Sequence, residues 1–519
     1  MMGGQQGARV VDTHAKALQV NLDSRRYGTF AEIGAGQEVV RWFFRAGGAA
    51  GTIAKSISAY DMAISDAIYG KAERYVCRQR LEAMLEHEHK LNLGRLSEVR
   101  GSTTAFFSFA DTVAARSYKG NNECHGWMGV RFQSRPRDQD SQIVIHVRML
   151  DTENALQQES LGIVGVNLLY GAFALFSEPE LLIESLLDGL TTQRIAVDMI
   201  EFSGIEFRQV DNRLMSMKLV QVGLSGAAMF DPDGTVLQPS EVLRKKSVLV
   251  ERGSFRPVCH VNIDMLRCAR ENYTRDLAAE TAATGGGAAN GAVAVHAGRD
   301  GGHDGGHDGG HDGGHDRGHD GEVVELMELT MRNLREEGGG VDRADFLARA
   351  DMLAASGKTV LISDYFEYYR LAAFLGQHTK EKIAIVMGAS SLRDLFEERY
   401  YSALEGGILE SFGRLFKNDL RLYIYPLLEK ATGRLTTVDN LAVPPRLRKL
   451  YEYLVDSGLI KQLENVNRDY LPIFSRDALS RIRAGDPSWE AMVPPEVAAV
   501  IKHRRFLGYR PRDPEPEVS

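Results

Sequence analysis

Residues 358–363 read KTVLIS, residues 382–387 read KIAIVM and residues 420–425 read LRLYIY. Each is a short apolar run rich in β-branched residues with polar neighbours, the pattern of a strand buried on both faces. Between them lie two stretches with helical spacing. The first begins at Asp364, a residue type that caps helices, and carries Phe366, Tyr369, Leu371 and Leu375. The second is Leu392–Leu404. Strand, helix, strand, helix, strand predicts a parallel, doubly wound sheet. The expectation for 322–519 is an α/β Rossmann-like domain with a helical tail over Leu447–Ile482.

Upstream of this domain the composition changes abruptly. Of 519 residues 52 are glycine, well above the usual ~7%. Many gather in 281–321, around the tandem units GGHD-GGHD-GGHD-GGHD-RGHD that run from Gly301 to Asp320. A stretch of Gly, Ala, His and Asp buries too little apolar surface to offset the entropy of ordering, which predicts a flexible linker.

Residues 1–280 predict a mixed α+β domain. Helical patterning is read at Phe30–Phe44 and, as a long amphipathic helix, at Tyr75–Leu96. Strands follow at 105–110 (AFFSFA), 127–133 (WMGVRFQ) and 142–150 (QIVIHVRML). A helix pair is expected at Leu161–Ala174 and Glu180–Leu187, then strand-like runs at Ile195–Ile200, Leu214–Val222 and Ala227–Phe230. Asp231-Pro-Asp-Gly234 is a turn signal. The fold class is thus an α+β N-terminal region followed by an α/β Rossmann-like C-terminal domain.

The formal charge is 62 − 70 = −8. A chain devoted to nucleic acid carries an excess of Lys and Arg, so no nucleic-acid partner is expected. The longest apolar run, Leu161–Phe176, has 16 residues. That is short of the ~20 a membrane span requires, so it reads as a buried core segment and no membrane partner is expected. Four cysteines form no disulfide framework, and Met1–Arg9 has no apolar signal region. A cytoplasmic location is the expectation; a homo-oligomer stays open.

The loop after KIAIVM is the main candidate site. Ligands of parallel sheets sit beyond the carboxyl ends of the strands. Gly388 permits a tight turn, Ser390 and Ser391 offer hydroxyls at a helix start, and Arg393 could pair with a phosphate. Asp364 ends the preceding strand, placed for a metal or ribose contact. The plainer alternative is an ordinary βα turn with a Ser cap. Gly47-Gly-Ala-Ala-Gly51-Thr-Ile-Ala-Lys55-Ser56 lacks the Gly directly before Lys that a phosphate loop needs, so helix packing is the better reading. The polar block Ser56–Tyr69 beside it could line a cleft.

Cys124-His125 and Cys259-His260 could supply zinc ligands, or Cys124 a nucleophile with His125 as its base, although no CxxC occurs. Glu86 and His89 share a helix face and could chelate a metal; a solvated face is the simpler reading. Arg244-Lys-Lys246, Arg252 and Arg256, with Arg213, form either a basic patch for an anionic substrate or strand-edge charges. In the repeat, His303, His307, His311, His315 and His319 each precede an Asp, a donor set for weak transition-metal binding.

The run Arg26-Tyr-Gly-Thr-Phe-Ala-Glu-Ile-Gly-Ala-Gly-Gln-Glu38, with Ser58-Ala-Tyr-Asp-Met62, Tyr69-Gly70, Cys124–Gln133 and Glu405–Phe416, resembles a family of mostly uncharacterised bacterial proteins. Some members are labelled nicotinate-nucleotide adenylyltransferase, others TonB-dependent receptor. The receptor label implies export and a large barrel, which the chain's start does not suggest. The transferase label implies an HxGH motif, which is absent, and an ISSTxxR-like motif, which Ser390-Ser-Leu-Arg393 is similar to.

These readings converge on an enzyme that binds a nucleotide or other phosphorylated small molecule, with a nucleotidyl (adenylyl) transferase as the specific expectation and Mg²⁺ accompanying the nucleotide. The alternative is a non-catalytic regulatory or scaffold protein with a metal-responsive His/Asp arm.

Overall fold

The computed structural model describes residues 12–116, 124–285, 322–335 and 340–511. It contains two large sheets. The first comprises β1 (Arg26–Gly34), β2 (Ile53–Ala59), β3 (Ala105–Ala114), β4 (His125–Gln133), β5 (Asp140–Met149) and β6 (Ile195–Gly204). Its order is β2-β1-β3-β4-β5-β6. β1 runs parallel to β2 and β3, and the strands from β3 to β6 pair antiparallel. Its helices are α1 (Thr13–Asn21), α2 (Glu38–Ala46), α3 (Met62–Tyr69), α4 (Arg78–Arg100), α5 (Asn154–Ala174), α6 (Pro179–Ser185) and α7 (Asn212–Gln221). Asp12, Asp61 and Asp211 cap α1, α3 and α7 by accepting from backbone N–H groups one turn in. On one face α1, α2, α5, α6 and α7 bury Phe30, Phe109, Val130 and Ile145; on the other, Leu81, Met84 and Leu85 of α4 cover Trp127 and Val144.

The second sheet comprises β7 (Ala227–Phe230), β8 (Val236–Leu237), β9 (Ser247–Arg252), β10 (Val323–Thr330), β11 (Thr359–Ser363), β12 (Ile383–Gly388), β13 (Arg421–Tyr425) and, after the hairpin β14 (Leu427–Leu428) and β15 (Leu435–Thr436), β16 (Ile460–Gln462). The order is β16-β13-β12-β9-β10-β11-β7-β8. β16 through β11 pair in parallel, while β7 pairs antiparallel with β11 and with β8. From β9 the chain steps outward through β10 and β11 on one side, then returns to build β12, β13 and β16 on the other. That is the strand order of the doubly wound Rossmann class. Its helices are α8 (Pro239–Leu243), α9 (His260–Gly285), α10 (Met331–Leu334), α11 (Arg343–Ala355), α12 (Tyr368–His378), α13 (Ala389–Leu395), α14 (Gly407–Leu415), α15 (Arg448–Asp456), α16 (Ser475–Ala484) and α17 (Pro495–Arg504). α9, α11, α16 and α17 cover one face, and α12 to α15 the other.

Several expectations differ from the structure. The sheets divide the chain between Gly204 and Ala227, not at 281, since β7, β8, β9 and α9 all belong with the later strands. The first parallel strand, SVLVER, ends in Glu-Arg, which is why it reads as a charged cluster. Leu214–Val222 lies mostly within helix α7, and Phe30–Gly34 lies in strand β1. Asp364 caps nothing; α12 starts at Tyr368 with Glu367 as its N-cap. The helix expected over 392–404 is the short α13, followed by a single 3₁₀ turn. The tail over 447–482 holds the strand β16 between α15 and α16. The apolar run 161–176 lies mostly in α5 and is buried there over Leu161–Leu169. Among the described residues no helix is long and apolar enough to cross a membrane. His303, His307, His311, His315 and His319 lie outside the described residues.

Candidate functional site

β9 and β12 are neighbours, but the chain leaves them toward opposite sides of the sheet. Loops that part in this way open a crevice at the carboxyl ends of the strands. A cavity of about 540 Å³ lies there. Its walls come from the segments that follow four successive strands: Arg252, Gly253 and Ser254 after β9, Thr330, Arg332 and Asn333 after β10, Phe366, Glu367 and Tyr368 after β11, and Ser391 and Asp394 after β12. Tyr400, Tyr401 and Arg476 close the rim.

Arg252 forms the floor. Its guanidinium meets Glu328 of β10 in a two-point pair, Nε to Oε2 at 2.7 Å and Nη2 to Oε1 at 2.9 Å. It also donates to the carbonyls of Phe366 at 2.6 Å and Tyr365 at 2.9 Å, and lies 4.3 Å from the centre of the Tyr368 ring. Ser363 donates to Glu328 at 2.5 Å. Burial alone would lower the pKa of Arg252; the Glu328 carboxylate more than offsets this and raises it, so the group stays charged. Arg252 is thus a positioning residue, tying β9, β10 and the 365–368 segment together and spending its charge on Glu328.

Two other guanidiniums are uncommitted. Among the described residues neither Arg332 nor Arg476 forms an ion pair, and both are exposed at the cavity. Arg332 rests against the Phe366 ring, its Cζ 4.2 Å from the centre. Phe366 in turn meets Tyr400 edge-on at 5.3 Å. The cleft therefore combines free positive charge, flat aromatic surface and the hydroxyls of Ser254 and Ser391. Asp394 is its unpaired carboxylate among the described residues.

The residues singled out in the sequence are spread apart. Ser391 lines the cleft and bonds the Tyr368 hydroxyl. Gly388 is the N-cap of α13 at φ −73 and ψ 157, backbone that any residue adopts. Ser390 is exposed and lies outside the cavity lining. Arg393 turns toward Glu429 of the β14–β15 hairpin, 3.5 Å away. Asp364 is exposed and 3.9 Å from Arg335. The sequence reading missed Arg332 and Arg476. The signal for Arg332 was present, since VVELMELT at 323–330 is a strand and Thr330 caps the turn that carries it. Arg476 reaches the site from α16, and nothing local marks it.

Other candidate ligands do not converge. Among the described residues no three potential metal-binding side chains gather. Cys124 packs against the core on the α5 face of the first sheet, whereas His125 points into the opposite face, so the two form no dyad. Cys259 is buried, which pushes its thiol up to about 12, and His260 stacks on Tyr470. His89 bonds Asp140 at 2.9 Å while Glu86 pairs with Lys90. Arg213 serves structure, bridging Asp211 and Asp351.

Two further groups of titratable residues are built into the fold. Glu32 and Asp111 are register partners at the carboxyl ends of β1 and β3. Glu32 accepts from the Val40 N–H at 3.1 Å, while the burial of Asp111 is offset only by the backbone of Ile33. Burial raises the pKa of both. The other group lies where the sheets meet. Between β5 and β6 the register slips at His146, leaving Asp198 as an extra residue that is aimed at His146. Asp198 Oδ1 is 2.6 Å from His146 Nδ1, and His146 Nε2 is 3.0 Å from His125 Nδ1. Gln238, which precedes α8 of the second sheet, reaches both His146 and Asp198 at 3.4 Å. Nearby, Ser240 bonds His378 at 2.7 Å.

No family model matches the chain, and no curated protein matches it. Among solved structures, it is similar over 32% of its length to the competence/damage inducible protein CihA from Agrobacterium tumefaciens, with 97% of that chain covered, 13% identity and a TM-score of 0.23. The competence-damaged protein (CinA) superfamily protein from Enterobacter cloacae is similar over 33% of this chain and 98% of its own, at 11% identity and a TM-score of 0.24. A competence or damage-inducible protein from Enterobacter asburiae gives 32%, 99%, 11% and 0.23 for the same measures.

Proposed function

We propose that the cleft between β9 and β12 binds a nucleotide or a closely related phosphorylated, ring-bearing small molecule. The observation that carries this is the pair of uncommitted guanidiniums, Arg332 and Arg476, in an aromatic-lined cavity at the strand-order switch. Guanidinium groups match phosphate oxygens in a two-point geometry. The Phe366 and Tyr400 rings offer a surface for a base, Asp394 can accept from a ribose hydroxyl, and Ser254 and Ser391 can donate to phosphate oxygens.

The reaction class we assign is nucleotidyl transfer, in which an acceptor oxygen attacks the α-phosphorus and pyrophosphate leaves. Arg332 and Arg476 would stabilise the charge that gathers on that leaving group. Mg²⁺ normally accompanies such substrates. With Asp394 as the one unpaired carboxylate of the cleft, and no cluster of three ligands among the described residues, the donor set does not fit a protein-held Mg²⁺. No step is therefore assigned to it.

A thermal-shift screen across nucleotides tests the binding. At a ligand concentration of 100 times Kd the stabilisation is about 2.7 kcal/mol, a rise of roughly 2–5 °C for a chain of this size. A protein whose Tm is unmoved by every nucleotide and nucleotide sugar would rule the reading out.

A further inference from the structure

A second cavity, of about 760 Å³, runs between α12 and α14. It is lined by four cationic side chains, Arg370, Lys380, Arg414 and Lys417, and by no carboxylate. We propose that this groove is a separate binding site for a small, multiply charged phosphate-bearing anion.

Each cation has little else to hold it. Lys380, two residues past the end of α12, donates among the described residues only to the Gly376 carbonyl, at 3.3 Å. Lys417 forms no ion pair among the described residues. Among the described residues the ion pairs of Arg370 and Arg414 run only along their own helices, with Glu367 at 3.5 Å and Glu410 at 2.6 Å, and Arg414 also lies 5.7 Å from the centre of the Tyr369 ring; such exposed pairs hold a charge weakly. The turn after α14 keeps acid out of the groove. Asn418 and Asp419 both take left-handed backbone, at φ 60 and 54, and Asp419 turns away to bond Lys382 at 2.7 Å. Four like charges around one cavity repel one another unless an anion lies between them.

The groove is distinct from the nucleotide cleft. The cleft opens at the carboxyl ends of the parallel strands, whereas the groove extends to Ile383 and Leu420, at the amino ends of β12 and β13. The two share one wall. Phe366, Glu367 and Tyr368 face the cleft, and Tyr365, Tyr369 and Arg370 face the groove. An anion drawing Arg370 away from Glu367 would therefore act on the segment that lines the other site.

Calorimetric titration of the full chain with inorganic tripolyphosphate, at 150 mM salt, tests the site. Lys380→Glu combined with Lys417→Glu should weaken binding at least tenfold. Arg332→Ala combined with Arg476→Ala should leave a saturable site of wild-type affinity. Loss of all binding in the arginine variant would overturn the inference, as would unchanged binding in the lysine variant. Tighter binding of an acidic decapeptide than of tripolyphosphate would also overturn it, marking the groove as a protein-docking surface. Failure here leaves the cleft untouched, because that site is read out by the arginine variant alone.

Discussion

Glu32 and Asp111 show how one residue pair sets a pH response. Both carboxyls are buried beside each other, and burial holds both above the ordinary carboxylate range. In the unfolded chain each ionises near pH 4, whereas in the folded chain each resists ionising. The stability they allow is thus full below about pH 4 and lost as pH rises through their elevated folded values. Glu32→Gln removes one of the two ionisations. It should raise the Tm at pH 8 by several degrees while changing it little at pH 4, measured by calorimetry. An equal shift at both pH values would show that the pair carries no such linkage. At this scale only part of the site was legible. Ser391 could be found because it follows an obvious strand, whereas Arg393, equally attractive in sequence, is turned away by Glu429. Side-chain direction depends on a hairpin 36 residues further on, which local sequence does not encode.

At the scale of elements, the parallel strands were legible where they are apolar on both faces. KIAIVM and KTVLIS are such runs, and each is a central strand of the second sheet. SVLVER escaped because its last two residues are charged, and they are charged because they build the floor of the cleft and its supports. α7 was read as a strand for a different reason. Met215 and Leu219 pack into the first sheet's core and Met217 and Val220 into the second's. A helix buried on two sides loses the one-sided periodicity that identifies it. Packing between elements also reaches the cleft. Gly226, which precedes β7, lies against Tyr365, and a Cβ there would fall 2.0 Å from the Tyr365 hydroxyl. Gly226→Ala should displace the 365–368 segment and weaken nucleotide binding by roughly 5–150-fold, the equivalent of about 1–3 kcal/mol of overpacking. Tyr365→Phe in the same background should recover part of it. Full affinity in Gly226→Ala would mean that this segment does not shape the cleft.

For the whole molecule, the junction of the sheets is polar and buried. His146 and Asp198 come from the first sheet and Gln238 from the second, with Ser240 and His378 beside them. Arg148 adds a bond to Gln377 at 3.3 Å. Burial pushes His125 and His378 down to about 4, so both are neutral in the folded protein at pH 7. Unfolded histidine titrates near 6.5, so the stability they support is full above about pH 6.5. It is lost as pH falls toward 4. Their own contribution declines across that window, opposite in sign to that of Glu32 and Asp111. His125→Gln with His378→Gln should therefore raise the Tm at pH 4.5 relative to its value at pH 7 when compared with the wild-type chain, followed by circular dichroism. An identical difference between the two pH values in both chains would place the acid sensitivity elsewhere. Sequence alone gave no access to this junction, because its members come from five separated segments, at 125, 146, 198, 238–240 and 378. The boundary between the sheets was hidden as well. A low-complexity stretch at 281–321 looks like a domain border, yet in the chain it falls between β9 and β10, the first two parallel strands of one sheet.

Central to this account is that Arg332 and Arg476 hold phosphate in the cleft at the strand-order switch. The direct measurement is calorimetric titration of the best-stabilising nucleotide into the wild-type chain and into Arg332→Ala and Arg476→Ala. Each substitution should raise Kd by roughly 10–150-fold, the loss of a charge-assisted contact of about 1.5–3 kcal/mol, with the fold intact by circular dichroism. Unchanged affinity in both variants would contradict the account.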